Sequence, residues 1–229
     1  TPRFAKLLAP EYQLNMCGKY TPPIGDSGVT GAPGIMASYS RLVKLYLKYR
    51  ESHIACIIDF LFGGKPIEYA APDIYVDYEE LEDRIKNDLA GNGALKYLES
   101  SNLTGYGFTA LRDSGGKYDP SDLQRGMWMY YGRNYTPHAH SDTLSIGIYA
   151  FGMDLAPDHG YPEYTADCPS REEWTNNTVS HNTAVVNCRR QDPSFVGIPR
   201  HFENSEFLKL TDVEAPFAYV GTDLYRRSV

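Results

Sequence analysis

Between residues 35 and 49 the apolar side chains Met36, Tyr39, Leu42, Val43, Tyr46 and Leu47 recur at intervals of three and four. That spacing places them on one face and predicts an amphipathic helix. A second helix is predicted over 52–62, where Gly63, Gly64 and Pro66 stop it. A third, polar and acidic, is predicted over 78–89, with Gly91 and Gly93 beyond it. Residues 1–34, by contrast, are rich in turn formers and end in Pro22-Pro23-Ile24-Gly25-Asp26-Ser27-Gly28 and Gly31-Ala32-Pro33-Gly34. So long a loop in a compact domain points to a functional segment.

After Ser100 the period drops to two and the punctuation becomes that of hairpins. Strands are predicted at 105–112 (GYGFTALR) and 126–131 (GMWMYY), with a turn at Gly115-Gly116-Lys117 between them. The clearest alternation sets Leu144, Ile146, Ile148 and Ala150 on one face and Thr143, Ser145, Gly147 and Tyr149 on the other. Further strands are expected at 182–187, around 207–210 and at 217–224. Helices followed by strands define an α+β chain of two layers or two domains, divided near residue 100 into 1–100 and 101–229.

The length of 229 residues, 42% of them hydrophobic, allows one sizeable core or two modest ones. No apolar run approaches the roughly 18 to 20 residues of a membrane-spanning helix. Lys and Arg number 22 against 29 Asp and Glu, a net charge of −7, and no long basic block interrupts them. Binding to nucleic acid by general counterion release is therefore not expected. Cys17, Cys56, Cys168 and Cys188 stand far apart with no CxxC pair, which excludes a zinc ribbon and leaves their pairing open. Tyrosine is the compositional oddity: 19 Tyr beside 9 Phe and 2 Trp, rings that stack on apolar faces and hydrogen-bond at the edge.

The densest chemistry lies in Pro137-His138-Ala139-His140-Ser141-Asp142, which runs into the alternating strand. If extended backbone begins there, His138, His140 and Asp142 share a face, where two imidazoles and a carboxylate can bind a metal or hold a charged substrate. Downstream stand Asp158-His159-Gly160 and Ser180-His181-Asn182. His140, Asp158 and His181 could supply three zinc ligands from neighbouring β-elements. Taken singly, each also reads as a turn former, a solvated loop histidine or a strand-edge group. Comparison with other HxHxD metallo-hydrolases fails, because Thr143 replaces the histidine one pattern needs and hairpins replace the helices of the other.

The order GYGFTALR, a second strand, PHAHSDTLSIGIYAFGMDLAPDHG, Trp174 and SHNTAVVN resembles the heparinase II/III family of polysaccharide lyases, and PPIGDSG resembles a loop near the end of that family's toroid. The resemblance covers residues 20–229. It implies the C-terminal part of an (α/α) toroid in 1–100 followed by an antiparallel β-sandwich in 101–229, the latter incomplete in this chain. It further implies a lyase that cleaves an acidic, uronate-containing glycan (heparin or heparan sulfate type, or alginate) by β-elimination, in the periplasm or secreted. His138 takes the place of the cleft histidine that neutralises the substrate carboxylate, and His140, Asp158 and His181 those of a structural zinc site.

Around that cleft Arg133, Tyr131, Tyr135 and Asn182 are the expected substrate-binding residues. Tyr130 and Tyr161 are further candidates for stacking on sugar rings. Arg112, Arg189 and Arg190 are read as ordinary surface arginines. By the resemblance, the acid and base come from toroid helices preceding Ile24, where Tyr12 and Tyr20 are the only tyrosines. The chain then reads as the middle or later part of a longer lyase. A non-catalytic carbohydrate-binding or scaffold module, and a zinc-dependent hydrolase, are the competing readings. No nucleic-acid or membrane partner is expected.

Overall fold

The computed structural model describes residues 11–28, 34–63, 77–92, 99–113, 124–162 and 170–229. The stops at Gly64, Pro66 and Gly93, the 115–117 turn and Cys168 lie outside them. The chain divides into two units, one of Thr1–Gln13 and Ile35–Tyr97, the other of Leu14–Gly34 and Leu98–Val229.

In the first unit all three expected helices form, the first starting at Tyr39 instead of Ile35 and the third running on to Asn92. Helix α1 spans Tyr39–Tyr49: the Ser38 hydroxyl accepts from Arg41 N, and Arg50 closes the helix in a left-handed turn at φ +53°. Helix α2, Ser52–Phe62, buries Ile54, Ala55, Cys56, Ile57, Ile58 and Leu61. Helix α3, Tyr78–Asn92, begins where Asp77 Oδ1 accepts from Glu80 N at 3.0 Å, with Glu79 and Glu80 favourably placed in its positive first turn. Leu42, Val43, Ile54, Ile57, Leu81 and Ile85 share one core. Each contributes about 1.5–3 kcal/mol on full burial. The Tyr46 hydroxyl donates to Asp88 Oδ2 at 2.6 Å and ties α1 to α3.

The second unit holds two antiparallel sheets. Strands β1 (Ser101–Leu103), β2 (Phe108–Asp113), β3 (Arg125–Tyr130), β4 (Ser145–Ala150) and β5 (Met153–Asp154) follow one another in sequence order. A three-stranded sheet comprises β6 (Ile198–Asn204), β7 (Lys209–Glu214) and β8 (Arg226–Ser228). Alternation along β3 decides how the larger sheet is covered. Trp128 and Tyr130 join Phe108, Tyr149, Met16, Cys17 and Tyr20 in one core, while Met129 joins Tyr131, Val213, Ala215, Tyr219 and Tyr225 in another. Trp128 pairs with Gly147 across β3 and β4, and a Cβ on Gly147 would lie 2.2 Å from the indole. Only glycine leaves that ring its space.

Within the second unit, residues 14–28 pack with the strands. Met16, Cys17 and Tyr20 cover the outer face of the larger sheet, and the buried Arg112 guanidinium donates to Asn15 O at 2.7 and 3.1 Å and to Glu99 O at 2.6 Å. Arg112 is thus a buried backbone clamp, where the sequence reads as a surface arginine.

Two expected strands, and the start of a third, are corrected. Residues 182–187 are loop: the Asn182 amide donates to Ala156 O and Pro157 O, the Thr183 hydroxyl donates to Thr143 O, and Asn187 and Cys188 take left-handed backbone. Side-chain bonds to backbone replace the ladder there. Residues 217–224 form consecutive turns, with Ala218 N donating to Ala215 O, Thr222 N to Tyr219 O, and Gly221 at φ +92°. Residues 137–144 are turn and coil, so the extended backbone begins at Ser145 and not at His138.

Candidate functional site

Because 137–144 is not a strand, its histidines are not sorted by simple alternation. Ala139 N donates to Thr136 O at 3.0 Å, and Leu144, at φ +64°, donates its N–H to Tyr130 O at 2.8 Å. The path leaves the His138 side chain 85% exposed and the His140 side chain fully buried. Both rings nonetheless reach one carboxylate, that of Asp26. His138 Nδ1 lies 3.1 Å from Asp26 Oδ2 and His140 Nε2 lies 3.1 Å from Asp26 Oδ1.

Loop 22–28 is held against this turn by its own backbone. Asp26 N donates to His138 O at 2.9 Å. Gly25, at φ +59°, makes the approach possible, since a Cβ there would stand 2.5 Å from His138 O. Arg171, at the start of the π-helical turn Arg171–Thr175, donates from one guanidinium nitrogen to both Asp26 oxygens at 2.7 and 2.6 Å and lies 5.3 Å from the Tyr161 ring centre. Burial alone would raise the Asp26 carboxyl, but hydrogen bonds from Arg171, His140 and His138 outweigh it and hold the group below its usual value of 3.8.

Beneath His140 lies a second cluster. His181 Nδ1 is 3.0 Å from Asp158 Oδ2, Gly160 N donates to Asp158 Oδ1 at 3.0 Å, and the His140 and His181 ring centres are 5.2 Å apart. His140, Asp158 and His181 bring one potential ligand atom each within 4.8 Å of one another. Two observations fit a metal ion. His140 Nδ1 and His181 Nε2 are buried and neither has a hydrogen bond of full geometry. Two imidazole nitrogens and a carboxylate oxygen also form a donor set that zinc accepts. Burial lowers the His140 pKa, and the Asp26 hydrogen bond does not offset it. Burial pulls His181 the same way, but the hydrogen bond to Asp158 and the charges of Asp142 and Asp158 prevail and raise it. Asp142, buried beside them with Oδ1 unpartnered, is pushed up to about 7 by desolvation.

On the exposed side a cleft of about 520 Å³ is lined by Ile24, Gly25, Tyr106, Tyr130, Arg133, His138 and His140, among others. Burial, with the Asp142 charge adding to it, raises the pKa of both tyrosines. Their hydroxyls therefore stay protonated at neutral pH. Tyr106, in the turn between β1 and β2, is half exposed and packs 5.9 Å from Tyr130, centre to centre.

Of the residues expected to bind substrate, Arg133 lines the cleft, and Tyr135 lies beside it, 5.9 Å from the Arg133 guanidinium. Tyr131 does not: it is fully buried and its hydroxyl donates to Asn102 Oδ1. Asn182 is spent on the Ala156 and Pro157 carbonyls. Arg190 donates to Ser141 Oγ at 2.7 Å and Arg189 pairs with Asp192. Three site residues escape the sequence reading. Asp26 is camouflaged as the turn former of an Asp-Ser-Gly loop, Arg171 stands in an ordinary run with Glu172 and Glu173, and Tyr106 is lost among 19 tyrosines. The PPIGDSG string is the one signal that could have pointed to Asp26.

The second unit is thus a two-sheet β-domain with a buried histidine–aspartate cluster under an exposed histidine. Residues 130–226 match the family model described as heparinase II/III-like, C-terminal, and the resemblance carried by the sequence motifs holds. Solved structures agree in fold. The heparan sulfate lyase HepC from Pedobacter heparinus is 16% identical with a TM-score of 0.59, and the match covers 95% of this chain and 28% of that one. A heparinase III gene product gives the same figures. A further heparinase III structure has a TM-score of 0.54 at 16% identity, over 100% of this chain and 31% of its own. The chain therefore spans less than a third of these proteins. A comparison with curated proteins found no match. Among the described residues no helix is long and apolar enough to cross a membrane.

Proposed function

We propose that this chain is part of a polysaccharide lyase that cleaves an acidic, uronate-containing glycan, of the heparin or heparan sulfate type or alginate, by β-elimination. The observation that carries the reading is the cleft: His138, braced on Asp26, lines it with Arg133, Tyr106 and Tyr130, and residues 130–226, which include His138, Arg133 and Tyr130, match the heparinase II/III-like C-terminal family.

Elimination removes the proton on the carbon next to a uronate carboxylate, so charge grows on that carboxylate and must be met by placed donors. In this reading His138, with Nδ1–H held by Asp26, turns its Nε2 edge toward the substrate. Arg133 is the cationic donor placed to meet the charge on the carboxylate. Tyr106 and Tyr135 offer ring faces to the sugars, and the Tyr130 hydroxyl, which donates to Arg133 O at 3.0 Å, steadies the arginine's backbone. No base is assigned among the cleft residues. Zinc held by His140, Asp158 and His181 would serve structure, locking the 137–144 turn to the 158–160 and 181 loops without touching substrate. The helices α1–α3 belong, in the same reading, to the end of an (α/α) toroid, and the protein works in the periplasm or outside the cell.

Elimination leaves an unsaturated uronate that absorbs in the ultraviolet, and hydrolysis does not. The full-length protein should raise absorbance on heparan sulfate or alginate, and His138→Ala should abolish most of the gain while leaving the unfolding midpoint near wild type. Binding without absorbance gain on any polyuronate would support a carbohydrate-binding module instead and sink the lyase.

A further inference from the structure

Asp26 occupies a position that neither its loop setting nor the cleft reading explains. One carboxylate accepts from three side chains on two other segments: His138, His140 and Arg171. An ionised carboxylate can only accept, so each histidine nitrogen facing it must carry a hydrogen. Arg171 donates to both Asp26 oxygens and supplies the positive charge that an accepting carboxylate pairs with. The consequence is specific for each ring. His138 carries its hydrogen on Nδ1, which leaves Nε2 as the nitrogen open to the cleft. His140 carries its hydrogen on Nε2, which leaves a lone pair on Nδ1, the buried nitrogen with no partner.

We propose that Asp26 is a positioning residue that fixes the tautomers of both histidines through opposite ring nitrogens, so that one loop carboxylate orients the exposed histidine toward substrate and the buried one toward a metal ion. Gly25 and the Asp26 N to His138 O bond hold the loop at the required distance. Arg171 prevents the carboxylate from turning away, because its nitrogen bridges both oxygens. A hydrogen bond to the non-ligating nitrogen of a metal-binding histidine sets ring orientation and raises ligand strength, and its loss typically weakens metal binding by about 10- to 100-fold. The cleft half of the proposal rests on the lyase reading above; the tautomer half does not.

The test is long-range proton–nitrogen NMR of the imidazoles in the ¹⁵N-labelled metal-free protein, at a pH where the rings are neutral. Wild type should show His138 protonated at Nδ1 and His140 at Nε2. Asp26→Ala should move His138 to the Nε2–H form or to a mixture and weaken zinc, measured against a competing chelator, by 10-fold or more. Asp26→Asn keeps the shape but retains a single accepting oxygen, so only one of the two rings should hold its wild-type tautomer; this variant also serves if Asp26→Ala does not fold. An Nε2–H His138 in wild type, or both tautomers unchanged in Asp26→Asn, overturns the proposal. The NMR result stands whether or not any glycan is cleaved, so failure of the lyase reading and failure of the Asp26 role are told apart.

Discussion

Replacing Gly25 by alanine should damage the site through the backbone, and the size of the effect follows from two separable causes. The first is conformational: at φ +59° an alanine costs about 1 kcal/mol more than glycine. The second is steric: the new Cβ would sit 2.5 Å from His138 O, so the loop must retreat by more than half an ångström. Retreat stretches the 2.9 Å bond from Asp26 N to His138 O, which contributes about 1 kcal/mol, and draws Asp26 away from two imidazoles. Together these amount to about 2–4 kcal/mol.

Gly221→Ala is the matched control, because Gly221 has φ +92° but no heavy atom within 4 Å of a built Cβ. It isolates the conformational cost of about 1 kcal/mol. Urea unfolding followed by tryptophan fluorescence suits the comparison, since both tryptophans, Trp128 and Trp174, lie in the unit that contains the two glycines. A further loss of about 2 kcal/mol lowers the midpoint by about 1 M for an m-value near 2 kcal/mol/M. Equal midpoints for Gly25→Ala and Gly221→Ala would refute the close approach, and with it the claim that glycine is needed to seat the Asp26 loop.

Three more outcomes are expected. In the metal-free protein Asp158 lies below 3.8 and His181 above 6.5, so the stability from Asp158 is lost as pH falls below 3.8 and that from His181 as pH rises past 6.5. Asp142, raised to about 7, removes stability over the interval from 3.8 to 7, while His140, lowered by burial, acts the other way as pH falls; Asp142→Asn should therefore raise the urea midpoint more at pH 8 than at pH 5, and an equal effect at both contradicts this. Zinc should bind the wild type stoichiometrically and be lost in His140→Ala by metal analysis, and unchanged metal content would remove His140 from the site. Arg112→Met should lower stability by about 3 kcal/mol in the same urea assay, because the Asn15 and Glu99 carbonyls lose their donors. A change under 1 kcal/mol would mean that water replaces the guanidinium.

The periodic parts of the fold were legible in the sequence, and for a physical reason. Helices α1 and α3 bury one face and strand β4 alternates, so their apolar spacing records the burial directly, whereas α2, β2 and β3 are buried on both sides and show as short apolar runs. What failed to show was structure held by side chains bonded to backbone. Asn182 and Thr183 look like strand residues and are instead bound to the 143 and 156–157 carbonyls, which no periodicity encodes. The site behaves likewise. His140, Asp158 and His181 were visible because their residue types are uncommon together, whereas Asp26 and Arg171 were hidden because a loop aspartate and a helix-end arginine are ordinary until distance brings them within 2.7 Å. Tyr131 shows the opposite failure: a plausible sugar-binding residue by composition, it is a core ring by position.

The two-residue separation of His138 from His140 across a turn gives the molecule a division of labour. One histidine is wet and the other dry, yet both answer to the same aspartate. Substitutions at 138 can therefore change what the cleft presents while the interior assembly persists. A change at 26 is felt in both compartments at once. The outward position is thus free to vary on its own, and the loop carboxylate is the constraint that the wet and the dry histidine share.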